Sequence, residues 1–177
     1  MATLQVDTLA FTFDAHVAAQ IYDQWQYYTW VWNAPPGGQK AMDVVAVEGA
    51  PPASTAWLIE GKDFRVITNP PKPSNIGGLA QFVADKAAHT LGGLAGASAH
   101  AAEAAEKQHA TDAAASNTKR VVLHLEPHTG AHSALFPKGF AASVLQQLRL
   151  LVKAIDTTPL VLNIANTPAS GVPWAVS

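Results

Sequence analysis

Asp43, Glu60 and Lys62 are the residues of this chain whose types and spacing can do chemistry together. Glu60 and Lys62 are two apart at the end of a run, 55–61 (TAWLIEG), whose apolar and aromatic content predicts a strand. Both side chains therefore leave the same face. Asp43 falls in a second such run, 41–48 (AMDVVAVE). The connection Gly49-Ala-Pro-Pro-Ala-Ser predicts a turn and antiparallel pairing. A hairpin symmetrical about Pro51-Pro52 sets Asp43 opposite Glu60. Two carboxylates that close repel each other, and a hard divalent cation between them removes the repulsion. Mg²⁺ suits a set of two carboxylates, a backbone carbonyl, water and a substrate phosphate, where it acidifies water and offsets charge at phosphorus. A lysine beside such a pair can orient or deprotonate the attacking water, or stabilise the phosphate. The plain alternative is an edge-strand ion pair of Glu60 with Lys62, with Asp43 at a strand end.

These residues need elements to position them. Val17, Ile21, Trp25, Tyr28 and Trp32 recur at helical steps and predict a helix from Asp14 to about Trp32, ended by Asn33-Ala-Pro-Pro-Gly-Gly. Strands follow at 41–48, 55–61 and 63–68. Ser74 or Asn75 can cap a second helix with Ile76, Leu79, Val83, Ala87 and Leu91 on its apolar face, weakened at Gly92-Gly93. The Ala-rich stretch at about 94–117 favours helix but carries almost no large apolar residue, which predicts a projecting arm or excursion. A strand at 121–126, a helix at 140–155 and a last strand at 158–164 complete one mixed central sheet flanked by helices, an α/β fold in a single domain spanning 1–177.

Asp43 followed by Glu60-Gly61-Lys62 on the adjacent strand resembles the D…(D/E)-x-K signature of the PD-(D/E)xK nuclease superfamily. The order helix, three strands, helix, strand resembles that superfamily's restriction-endonuclease-like α-β-β-β-α-β core. The resemblance covers roughly 14–126, with 95–117 as an insertion. It implies metal-dependent phosphodiester hydrolysis in DNA, less often RNA. Asp43 and Glu60 would bind Mg²⁺ or Mn²⁺, the Gly61 carbonyl would be a further ligand, and Lys62 would serve at the attacking water. Met42 stands where the motif has proline. The acidic or Gln residue that many members carry on the first helix has Asp23, Gln20 and Gln24 as candidates, and Gln81 gives half of a Gln-x-x-x-Tyr pattern.

A second cluster runs His124-Leu-Glu126-Pro-His128-Thr-Gly-Ala-His132. Imidazole and carboxylate on one strand face can hold zinc, which makes a zinc hydrolase one alternative. The other expectation sets His124 and Glu126 beside the Asp43 site, supporting it or contacting phosphate. Arg65, Lys72, Lys86, Lys119, Arg120 and Lys138 are the basic residues that could line a nucleic-acid face, and Gly77-Gly78 could let a backbone amide approach phosphate. Tyr27 and Trp30, off the apolar stripe, could meet a partner or a stacked base.

Composition bounds these readings. The chain has 177 residues, 49% hydrophobic and 14% charged, with a formal charge of −2, so no general attraction to an anionic polymer is expected. Cysteine is absent, which excludes disulfides, thiolate zinc sites and thiol nucleophiles. No glycine-rich nucleotide loop is present. Neither a secretory leader nor a membrane span is apparent, and the expectation is a cytoplasmic protein. The leading expectation is a Mg²⁺-dependent endonuclease acting on DNA, with a homodimer or partner protein allowed. The alternative is a catalytically silent binding or assembly module on the same fold.

Overall fold

The computed structural model describes residues 1–65, 76–130 and 132–177. Two sheets and a helical layer are stacked. The larger sheet has five strands in the order β3 (Val17–Ile21), β4 (Val44–Glu48), β5 (Thr55–Asp63), β6 (Thr118–Glu126) and β7 (Leu160–Leu162). β4 is antiparallel to both β3 and β5, whereas β5, β6 and β7 run parallel. The smaller sheet pairs β1 (Ala2–Val6), β2 (Leu9–Phe13) and β8 (Trp174–Val176).

Strand alternation sorts the core onto two faces. Val45, Val47, Leu58, Leu123 and Leu125 pack with the helices. Val44, Ala46, Trp57, Ile59 and Val122 pack against Phe11, Phe13 and Trp174 of the smaller sheet. The helices are α1 (Ile76–His100), α2 (Ala104–Ala115) and α3 (Phe140–Leu151), and α1 packs on both others. Parallel neighbours need a crossover, which α1–α2 supplies between β5 and β6 and α3 between β6 and β7. This is a mixed α/β architecture. Among the described residues, no helix is long and apolar enough to cross a membrane.

Four expectations are corrected. The helix expected from Asp14 to Trp32 is instead β3, a short 3₁₀ turn at Tyr22–Gln24 and a single π-turn at Tyr28–Trp32. Pairing with β4, with Val17 opposite Glu48 and Ile21 opposite Val44, overrides the helical spacing. The strand break expected at Lys62 does not occur, because β5 runs through to Asp63 in register with Glu126 of β6; the remainder of the expected strand, 66–68, lies outside the described residues. The second helix, expected to be weakened at Gly92-Gly93, runs unbroken through them to His100. The Ala-rich stretch is not an arm: Ala97, Ala101, Ala110 and Ala113 are buried in the helix-side core.

Small residues let α1 approach the chain closely. A Cβ at Gly93 would come within 2.0 Å of the Tyr22 hydroxyl, and one at Gly96 within 2.2 Å of the Tyr27 hydroxyl. Polar groups then fix the hairpin of α1 and α2. The Glu106 carboxylate accepts the amides of Gln26 and Tyr27 at 2.7 and 3.1 Å, and a ring nitrogen of His109 lies 3.0 Å from the Val45 carbonyl.

Candidate active site

The β4–β5 register is the one expected from symmetry about Pro51-Pro52. Val44 faces Ile59, so Asp43 enters the sheet opposite Glu60. Alternation puts Asp43, Glu60 and Lys62 on the helix side. Asp43 is held by its backbone and its side chain. Its carbonyl accepts the Tyr22 amide at 2.9 Å, and its Oδ2 accepts the Gly61 amide at 2.8 Å. The preceding residue, Met42, donates its amide to Thr90 Oγ1 of α1 at 2.9 Å. Gly61 faces the other way, where a Cβ would lie 3.1 Å from Val6 and 3.4 Å from Leu9. The shown role of Gly61 is thus its amide, and its bare α-carbon lets the β1–β2 turn pack closely.

Glu60 is 0% exposed. Its carboxylate meets two ammonium groups: Lys62 Nζ at 2.7 Å, and Lys86 Nζ at 2.8 and 2.7 Å from its two oxygens. Lys86 also reaches Asp43 Oδ1 at 3.2 Å. Burial, reinforced by the Asp43 charge, pushes the Glu60 carboxyl up to about 7, against the opposing pull of both lysines. Burial alone would lower Lys86, but Glu60 and Asp43 outweigh it and raise its pKa. The Phe82 ring lies 5.1, 5.5 and 5.1 Å from the ammoniums of Lys40, Lys62 and Lys86, so one aromatic ring gathers three cations. Lys40 in turn pairs with Asp85 at 3.3 Å.

Beside Asp43 is a polar recess of about 130 Å³ lined by Gln5, Asp7, Asp23, Gln24 and Asp43. Of the three candidates for the auxiliary role, Asp23 and Gln24 line this recess. Burial, then the Asp43 charge, raises the Asp23 pKa. Gln20 lies on β3 opposite Val45. Gln81 donates to Asp85 at 2.6 Å on the surface of α1.

The structure places the other expected residues elsewhere. His124 and Glu126 occupy the opposite face of the sheet from Glu60, because β6 points Leu123 and Leu125 to the helices and its even-numbered residues to the smaller sheet. They pair at 3.0 Å, His124 meets the Phe11 ring edge-on, and Glu126 accepts the Ile164 amide at 2.6 Å. Burial lowers the His124 pKa. The His128 and His132 rings pack against each other at 5.1 Å. Among the described residues, no three His, Asp or Glu side chains assemble as a metal-holding group.

Among the described residues, Arg65, Lys119 and Arg120 do not share one face with the site. Arg65 binds Asp63 through both Nε at 2.9 Å and Nη2 at 2.7 Å, on the smaller-sheet side. Lys119 donates to the carbonyls of Ala114 at the end of α2 and of Ser116 just after it, and Arg120 pairs with Asp156 and lies 5.4 Å from the Trp57 ring. Both sit near the start of β6, whereas Glu60 and Lys62 are aligned with Leu123 and Leu125 toward its end. Lys72 lies outside the described residues.

Lys86 is the site residue whose place the sequence reading did not find. A signal existed. Leu79, Val83, Lys86 and Thr90 form one helical stripe in which Val83 and Thr90 are fully buried, and a charged side chain on such a stripe needs a partner.

The class defined by fold and site is a mixed α/β protein with a buried acid–lysine cluster at a strand pair. No family model matches the chain, and no solved structure matches it. It is similar to a cysteine–tRNA ligase from Neisseria meningitidis serogroup A, at 25% identity. The alignment covers all of this chain and 30% of that protein, so the chain spans about a third of the length of the curated relative.

Proposed function

We propose that this chain is a Mg²⁺-dependent nuclease of the PD-(D/E)xK type, hydrolysing phosphodiester bonds in DNA. The observation that carries the reading is the convergence of Asp43, Glu60 and Lys62 on one sheet face, with Glu60 and Asp43 both in contact with a single cationic group. The strand order supports it. Three antiparallel strands are followed by a helical crossover to a parallel strand, and the acids sit where the second and third strands meet. One departure is that a β-hairpin, not a helix, precedes β3.

The donor set fits Mg²⁺. Both carboxylates are hard oxygen ligands, and buried Glu60 ionises readily only beside positive charge. Asp43 and Glu60 would hold the ion, with the Gly61 carbonyl as a further candidate, and Mn²⁺ would substitute. When bound, the ion would offset charge at the scissile phosphate and activate water. Lys62 donates hydrogen bonds that fix an attacking water or a phosphate oxygen against Glu60. Lys40, more exposed than the other two lysines around Phe82, adds positive charge near the site. The test is incubation with Mg²⁺ or Mn²⁺ on duplex DNA, single-stranded DNA and RNA. Cleavage is expected, falling by about 100-fold or more in Glu60→Ala and Lys62→Ala. Unchanged cutting in these variants, or no cutting of any substrate, overturns the reading.

A second reading, a catalytically silent binding or assembly module, is favoured by one observation. Trp30 is 78% exposed beside a groove of about 260 Å³ lined with Tyr27, Val31 and His100. Light scattering combined with metal titration separates the two. A stable oligomer without metal affinity supports the module.

A further inference from the structure

We propose that Lys86 is a built-in stand-in for the divalent cation, holding Asp43 and Glu60 together and leaving them when the ion enters. This inference rests on reading Asp43 and Glu60 as the Mg²⁺ pair.

The two lysines of the cluster are not equivalent. Lys62 contacts Glu60 through one oxygen. Lys86 contacts both oxygens of Glu60 and Oδ1 of Asp43. It therefore occupies the bridging position that an ion between the two carboxylates would need. The remaining oxygen of Asp43 is engaged by the Gly61 amide, so an incoming ion and the Lys86 ammonium compete for the same lone pairs.

Charge balance points the same way. Asp43 and Glu60 are matched by Lys62 and Lys86, and a divalent ion added to those four groups would leave excess positive charge beside a fully buried carboxylate, with Asp23 next to Asp43 offsetting only part of it. Withdrawal of one ammonium reduces that excess. Lys86 also has somewhere to go. It sits on a flexible four-carbon stem, and its Nζ, while bridging the carboxylates, already lies 5.1 Å from the Phe82 ring, so part of its stabilisation does not come from either carboxylate. The consequence is that wild-type metal affinity is set by a competition within the protein, and removal of Lys86 strengthens binding.

The experiment is Mn²⁺ titration of the full chain, wild type against Lys86→Met and Lys62→Met, read by calorimetry and by the paramagnetic signal of free Mn²⁺. Lys86→Met is expected to bind Mn²⁺ about tenfold more tightly than wild type, whereas Lys62→Met gains less. In parallel, the ¹⁵Nζ signal of Lys86 in the wild-type protein is followed as Mg²⁺ is added, a readout that does not depend on the variant folding. It is expected to lose the signature of a carboxylate-bound ammonium in step with saturation. Wild type that binds metal while Lys86→Met binds it equally or more weakly overturns the stand-in role alone. An unmoved Lys86 signal at metal saturation does the same. Absence of binding in wild type and Lys86→Met alike overturns the metal reading, and the stand-in role with it.

Discussion

Asp43 Oδ2 accepts the backbone amide of Gly61 at 2.8 Å, which ties the chain entering β4 to the residue between Glu60 and Lys62. One carboxylate thus sets the spacing of the site while its other oxygen faces the Lys86 ammonium. Asp43→Ala leaves a buried amide without its acceptor and is expected to cost about 1–3 kcal/mol in urea denaturation. Asp43→Asn keeps an acceptor oxygen and is expected to cost less. Equal losses in the two variants would show that charge pairing with Lys86, not the amide bond, holds this corner.

Close approach of α1 to the chain after β3 depends on Gly93. An added Cβ would meet the Tyr22 hydroxyl at 2.0 Å, and the next contacts, on Trp32, begin at 3.1 Å. Gly93→Ala is expected to destabilise the fold by about 1–3 kcal/mol. Tyr22→Phe removes the clashing oxygen, which lacks a hydrogen-bond partner among the described residues. The double variant should recover most of the loss, as thermal melts of the four proteins in a double-mutant cycle would show. Simple additivity would mean that the two residues do not meet.

On the other face, the Arg65 guanidinium and the Thr8 hydroxyl hold the Asp63 carboxyl down to about 2, with hydrogen bonds from Arg65 as the largest cause. A carboxyl lowered from its ordinary 3.8 stabilises the fold above that value, and the contribution is lost as pH falls through 2. Asp63→Asn is therefore expected to be less stable than wild type by about 2 kcal/mol at pH 7. The gap should close between pH 4 and pH 2. A gap that stays constant across that range would show that Asp63 acts through packing rather than charge.

What could be read from the chain alone follows physical lines. The β4–β5 register was legible because Pro51 and Pro52 mark the centre of the connection and both flanking runs are strand-like. The segment 14–32 was misread because Val17, Ile21, Trp25, Tyr28 and Trp32 keep helical steps even though the partner of Val17–Ile21 is a strand more than twenty residues away. Burial of Val17 and Trp25 holds all the same, since an apolar side chain seeks the core whatever its backbone does. The β1–β2 hairpin went unread despite period-two alternation at Leu9, Phe11 and Phe13 and the two-residue connection Asp7-Thr8. The Ala-rich helices looked unable to bury anything, yet Gly92, Gly93 and Gly96 bring the α1 backbone close to Trp32, Tyr22 and Tyr27, and Ala97, Ala101, Ala110 and Ala113 are buried in the core. At the site, Asp43, Glu60 and Lys62 were visible as types at a spacing. The separation of His124 and Glu126 from them was not, because parity on one strand does not say which face of the sheet another strand's residues share.

Consecutive residues of β5 carry charge to opposite sides, with Glu60 and Lys62 toward the helices and Asp63 toward the smaller sheet. Sliding this strand by a single position would press its carboxylates into hydrocarbon and desert the ammonium and guanidinium groups waiting for them. Such a slip is punished above and below at once. The ionic groups that would serve a substrate also proofread how the sheet is put together.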